Sequence, residues 1–473
     1  MRGLLASSVG VTCAAALALP LTSPAVAARP ASPAAVRPAP GAEAPGGTQS
    51  LPLAPLASRD RTLAPVAEQG LPRRDVRHFS LVGVIWDDPD TVLHGRVQVR
   101  TRAAGTDTWS GWQDLETHND DAADPGTAER ASGRVHGATA PLWVGDSDGV
   151  EVRVRAEADR RTEDTARGSR TATTTAPLPV GLRLELVDPG ESAPEPARQK
   201  SAAGAPRRAA EPRSAPTDEP AEALAGMDAA AANADLADLD GTEIPALDRQ
   251  QTVEELFALR AGELTDRQRA KPYIGPRPRI VTRRGWGADE GLRERGFVYT
   301  KKVKAAFVHH TASGNGYRCA QAPSLIRGIY RYHVKSMGWR DIGYNFLVDK
   351  CGNIYEGRAG GVAKPVLGAH TLGFNSKSMG VAVLGSYGSK KPPAAVTKAV
   401  ARLAAWKLGL YGANPKGKTY LKSGGGNRYP KGRKVRLNVI SGHRDGFATA
   451  CPGWQLYRKL GSTRTTAARL QGR

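Results

Sequence analysis

Two stretches of this 473-residue sequence carry side chains suited to breaking bonds. AAFVHHTASG, residues 305–314, ends an apolar run in two adjacent histidines, and SGHRDGFATACPG, residues 441–453, sets His443 eight positions before Cys451. Side chains alternate faces along a strand, so His309 and His310 cannot both point into one site, and at most one of them is a ligand. Two imidazoles and one thiolate make a ligand set that zinc accepts, with a fourth position open as hydrolytic centres require. Such an ion brings the pKa of bound water to about 7. The alternative is a polar loop with a left-over secretory thiol, which would be open to oxidation.

Other residues offer supporting roles. Tyr344 in DIGYNF could present its hydroxyl to a carbonyl, or serve as a half-buried tyrosine with a backbone partner. Thr449, two before Cys451, could donate to a developing oxyanion. His370 in GAHTLGFN and Arg358 in YEGR are polar groups for a groove, and Glu356 reads as a structural ion-pair partner. There is no G-x-S-x-G, P-loop or H-E-x-x-H pattern, so serine-hydrolase, nucleotide-binding and zincin chemistry lack support.

Positioning these residues needs a scaffold. VKAAFVHH, YNFLVD, MGVAVLG and VRLNVI read as buried strands. PSLIRGIYRYHVKS and AAVTKAVARLAAWKLGL read as helices, the first with Pro323 in its first turn. Together they predict one α/β domain over 276–465, a mixed sheet flanked by helices, with a tail at 466–473. Upstream, FSLVGVIW, HGRVQVRT, PLWVG, VEVRVRA and GLRLELV predict a small all-β, sandwich-like domain over 73–188. Trp109 and Trp112 in TWSGWQ are expected as core residues, the alternative being an aromatic platform for sugar, and His78, His94, His118 and His136 show no ligand-like grouping. Ala/Pro-rich stretches at 29–72 and 189–275 read as a disordered spacer and a loose linker, the latter with a short helix in VEELFALRAGELTDRQRA.

The N-terminus, with an early Arg, an apolar run and Ala25-Val26-Ala27, reads as a signal peptide over 1–28, so a secreted, cell-wall-associated protein without a membrane span is expected. Beyond Cys13 there are three cysteines, and the simplest division pairs Cys319 with Cys351 and leaves Cys451 over. The pairing is decided by whether the Cα atoms lie within about 7 Å. Charge is uneven: from Lys271 onward there are 38 Lys and Arg against 7 Asp and Glu, and before it 29 against 39. A basic half suits a polyanion, and export favours an anionic wall over nucleic acid.

The blocks FVHHTA, GWRDIGYNFLVD, YEGR, GAHTLGFNSKSMGVAVLG and GHRDGFATACPGW, in this order over roughly 278–460, resemble the peptidoglycan recognition proteins and type 2 N-acetylmuramoyl-L-alanine amidases. The resemblance implies a Zn2+-dependent amidase that cuts between N-acetylmuramic acid and L-alanine, or else a non-catalytic module that binds the same polymer. It implies His309, His443 and Cys451 as metal ligands, Tyr344 and Thr449 as catalytic groups steadying the tetrahedral intermediate, and His370, Asn375 and Arg358 as contacts to muramyl peptide. The partner it implies is peptidoglycan; the basic charge adds anionic wall polymers as an expected partner, and a monomer is expected with the oligomeric state left open. After YEGR the chain departs from many animal members, with Ala359-Gly360-Gly361 where they carry a Gly-Trp or Asn-Phe pair that reads the third stem residue.

Overall fold

The computed structural model describes residues 46–56, 68–117, 121–165, 168–190 and 221–473. The expected signal peptide and His118 lie outside the described residues. The chain from Ala44 to Arg473 forms one compact unit.

Its first part is an eight-stranded antiparallel sheet. The long strand Glu68–Trp86 pairs on one side with Leu142–Ala156 and on the other with Arg183–Asp188. Alternating apolar positions explain its core: Phe79, Val82 and Val84 pack with Val97, Val99, Val150, Val152 and Leu184. The all-β expectation therefore describes this part, with two corrections. Strand Gly47–Pro52 pairs with Arg183–Asp188, inside the stretch expected to be spacer; an edge strand is recruited by backbone pairing and needs little apolar content. Trp109 and Trp112 are half-buried rather than core residues, held under the guanidinium groups of Arg73, Arg100 and Arg153.

The second part is a seven-stranded mixed sheet. Ala305–His310, next to the edge strand Ile440–Gly442, runs parallel both to it and to Ser378–Val383. Phe346–Val348 lies parallel to Ser378–Val383 and antiparallel to Ile354–Glu356. The central strands are buried throughout, as expected of strands covered on both faces. Helix Ala394–Gly409 packs on one face through Val396, Val400, Leu403 and Trp406, together with helix Leu460–Leu470. Helix Ala322–Arg331 covers the other face. Cys319 and Cys351 are disulfide-bonded across a Cα separation of 6.3 Å.

The linker expectation is corrected from Ala221 onward. Helices Ala221–Ala231, Arg249–Arg260 and Asp266–Ala270 and strand Glu243–Ile244 lie in this stretch, and Ile244, Leu256 and Leu264 join the core of the second sheet. Asp248 and Gln251 form a capping box at the start of the middle helix. The apolar residues here find their partners in distant segments, Leu256 and Leu264 joining a core with Trp406 and Leu408, so the stretch read alone did not show that it packs. The tail expectation is corrected too, because Leu460–Leu470 runs past residue 465.

Nor are the two halves loosely tethered. Leu81, Ile85 and Val187 of the first sheet share a core with Leu325, Ile329 and Tyr330 of helix Ala322–Arg331. Gly83 makes room for Tyr332: a Cβ there would stand 2.3 Å from the tyrosine oxygen, which donates to Thr139 O at 3.1 Å. Gly83→Val is therefore expected to lower stability by about 1–3 kcal/mol through overpacking. The denaturant midpoint of the full chain measures it, and Tyr332→Phe in the same background should recover little of the loss.

Candidate metal centre

Register brings the histidines together. Val308 pairs with Gly442, so the next residues, His309 and His443, leave the same ends of adjacent parallel strands. Ligand sites gather at such carboxyl ends. The chain then makes the short helix His443–Gly446 and returns with Arg444 N donating to Cys451 O at 3.1 Å, which brings the thiol back beside the imidazoles. Ligand atoms of His309, His443 and Cys451 all lie within 4.8 Å of one another, and all three residues are buried. Cys451 Sγ is 3.7 Å from His309 Nδ1, and the two imidazole centroids are 4.5 Å apart.

These residues fit a zinc ion. Burial first, and His310 second, pushes the His309 pKa down to about 3; burial and then His309 do the same for His443. Both rings are thus neutral near pH 7, the form that binds metal. Among the described residues neither ring nitrogen of His443 makes a hydrogen bond, although both are buried, and a cation bound at Nδ1, the nitrogen that faces the cluster, would satisfy that one. His309 Nε2, on the far side of its ring, lies 3.3 Å from both His370 Nδ1 and Thr371 Oγ1, which set its orientation.

The other expected residues are disposed around this cluster. Tyr344 precedes strand Phe346–Val348, and its ring lies 5.6 Å from that of His309. Thr449 is half-buried on the loop that carries Cys451, its Oγ1 accepting from Cys451 N at 3.2 Å. His370 is fully buried, and Gly380 makes room for it, since a Cβ there would stand 2.4 Å from its ring. Asn375 Oδ1 accepts from the backbone N–H of His370 and of Thr371. Arg358 donates through Nε to Ile342 O at 2.8 Å. Where the chain departs from animal members, Gly361 lies under the backbone of Ala232, and Asn233 bonds both Val362 N and Glu356.

Sequence reasoning missed an acidic segment of the first domain that meets this site. Asp121 Oδ1 is 3.0 Å from His309 Nδ1 and 3.3 Å from His443 Nδ1, and its Oδ2 accepts from the Tyr344 hydroxyl at 2.5 Å. Asp124 Oδ1 accepts from Gly373 N and Asn375 Nδ2, each at 2.7 Å. Glu129 forms a two-pronged ion pair with Arg358 at 2.9 Å. The signal in sequence was the acidic run NDDAADPG, but nothing local relates it to residues roughly 190 to 320 positions away. His333 was also missed as a site residue: it stacks on Trp339 and Tyr344 and accepts from Gly343 N through Nδ1.

Burial, then the Arg358 charge, holds the His333 pKa down at about 3. The unfolded chain, with histidine near 6.5, takes up this proton first as pH falls. The stabilisation is therefore present above pH 6.5 and is lost progressively toward pH 3. In urea unfolding between pH 7 and 4, His333→Asn should flatten the decline by up to one proton, about 1.4 kcal/mol per pH unit.

Comparison with known proteins bears on the family of the chain. Residues 299–454 match the family described as N-acetylmuramoyl-L-alanine amidase, and residues 33–179 match Rv3811 N-terminal galactose-binding domain-like. Peptidoglycan-recognition protein SC2 of Drosophila simulans is 32% identical over 181 residues, 38% of this chain and 84% of that protein. The human N-acetylmuramoyl-L-alanine amidase is 35% identical over 156 residues, 32% of this chain and 25% of that protein. Among solved structures, Drosophila PGRP-LB is 25% identical and covers 39% of this chain and 92% of that one, with a TM-score of 0.31. A galactose-binding-like all-β domain precedes the shared region, and the chain belongs to the family of peptidoglycan-recognition proteins and N-acetylmuramoyl-L-alanine amidases.

Proposed function

We propose that the chain is a zinc-dependent N-acetylmuramoyl-L-alanine amidase, with His309, His443 and Cys451 holding the metal. The observation that carries this reading is the buried cluster of two neutral imidazoles and a cysteine at the ends of parallel strands. A non-catalytic binding module has no use for such a ligand set. Zinc held there supplies Lewis acidity, activating water near neutral pH and drawing electron density from the amide carbonyl.

The protein's own groups then do the remaining work. Tyr344, whose ring lies 5.6 Å from that of His309, is the residue to which we assign donation to the oxyanion of the tetrahedral intermediate. Thr449 supplies a neutral second donor from the loop that carries the thiolate ligand. His370, Asn375 and Arg358 are the contacts to the muramyl peptide, Arg358 offering a planar fork to a carboxylate. The basic half would draw the protein to anionic wall polymers outside the cell, an attraction that weakens as salt rises.

Two measurements test the reading. Metal analysis of the full chain should give about one zinc per molecule, and muropeptides should lose their stem peptide. Cys451→Ser should abolish zinc retention and lower turnover by at least about a thousandfold. A zinc-free wild type that binds muropeptide without cleaving it would establish the recognition module instead. Tyr344→Phe should retain zinc and lose about a hundredfold in kcat, the cost of one oxyanion donor.

A further inference from the structure

Five of the residues assigned to metal, catalysis or substrate in this site, His309, His443, Tyr344, Asn375 and Arg358, are already engaged by acids from the other domain. Asp121 meets the two imidazoles and Tyr344, Asp124 meets Asn375, and Glu129 meets Arg358. Ala122 O takes a second N–H of Asn375 at 2.8 Å, and the main chain at Gly373 is bound by Asp124. The site is closed as a result: Tyr344 is 1% exposed, Asn375 0% and Arg358 5%. Substrate could not reach them without displacing this segment.

The spacing at Asp121 points further. Atoms sharing one tetrahedral zinc at bond lengths near 2.0–2.1 Å stand about 3.3 Å apart. Asp121 Oδ1 lies at 3.0 and 3.3 Å from the two imidazole Nδ1 atoms, and among the described residues it accepts no hydrogen bond. A buried carboxylate oxygen without a donor, aimed between two neutral imidazoles, is placed as a ligand atom. It would fill the position that a hydrolytic centre keeps open for water.

We propose that Asp121–Glu129 is an internal plug, with Asp121 as the fourth ligand of the His309, His443 and Cys451 site and Asp124 and Glu129 standing in for the polar groups of the muramyl peptide. The chain as folded is latent, and activity requires withdrawal of this segment. The surrounding interface holds the plug in place. Arg340 N donates to Glu129, Arg134 pairs with Glu294, and His136 N donates to Met337 O. This inference rests on the amidase reading, and its test separates the two.

The probe is a soluble muramyl tripeptide, titrated calorimetrically into the zinc-loaded full chain. Asp124→Asn with Glu129→Gln should bind it at least tenfold more tightly than wild type and cleave it correspondingly faster. Asp121→Asn should hold zinc about tenfold or more weakly against a chelator, yet turn over faster per zinc-loaded molecule. Hydrogen exchange of wild type needs no variant: amides of 121–129 should exchange faster when the tripeptide is bound. If wild type and variants bind and cleave alike, or exchange at 121–129 is unchanged in the tripeptide complex, the plug is overturned while the hydrolase reading stands. Slower turnover per zinc-loaded Asp121→Asn molecule would likewise overturn it, since Asp121 would then be working in the reaction. If the double variant binds more tightly but no form cleaves, the plug stands and the hydrolase reading falls.

Discussion

The parallel pairing of Ala305–His310 with Ile440–Gly442 is the constraint on which the rest depends. A shift by one residue would turn His309 to the opposite face of the sheet, away from His443. The register is held by burial on both faces, because Ala306, Val308 and Ile440 enter one core while Phe307 enters another. The two imidazoles are thus brought side by side by the ordinary requirement that apolar side chains leave water, while His370 and Thr371 set the ring of His309.

Much of this was legible because it is local. An apolar run ending in histidine marks a strand with a polar terminus, and His443 and Cys451 lie close enough in sequence to share a loop. The helix containing Leu325 and Ile329 announces itself by period. What was illegible is non-local. Gly47–Pro52 is a strand only because Arg183–Asp188 offers it an edge, and Ala221–Ala231 is mostly alanine, with Leu224 and Met227 as its large apolar side chains. Asp121 is one acid among several in a polar loop. Its significance comes wholly from the imidazoles it meets, and no periodicity encodes that encounter.

The interface between acidic and basic halves includes buried ions, which are poor contributors to stability. Glu129 and Arg358 are both nearly inaccessible, and the cost of removing them from water offsets much of their attraction. Burial raises the Asp121 pKa to about 6 against the opposing influence of His443, which shows how unfavourable an isolated carboxylate is at this depth. Such contacts confer specificity of docking more than strength. Adhesion between the halves comes instead from the apolar contacts around Leu81, Ile85 and Tyr330. Strength and specificity are therefore carried by different residues.

That division bears on how the molecule could be cut. Helix Ala322–Arg331 is buried on both sides, with Leu325, Ile326 and Ile329 enclosed and Arg327 bonded to the main chain of Pro189 and Gly190. A fragment beginning at the apparent boundary between the halves would carry this helix with one flank stripped of its cover. An apolar surface of that kind favours self-association, so a soluble excised domain would require polar replacements along the flank that now faces Leu81 and Val187.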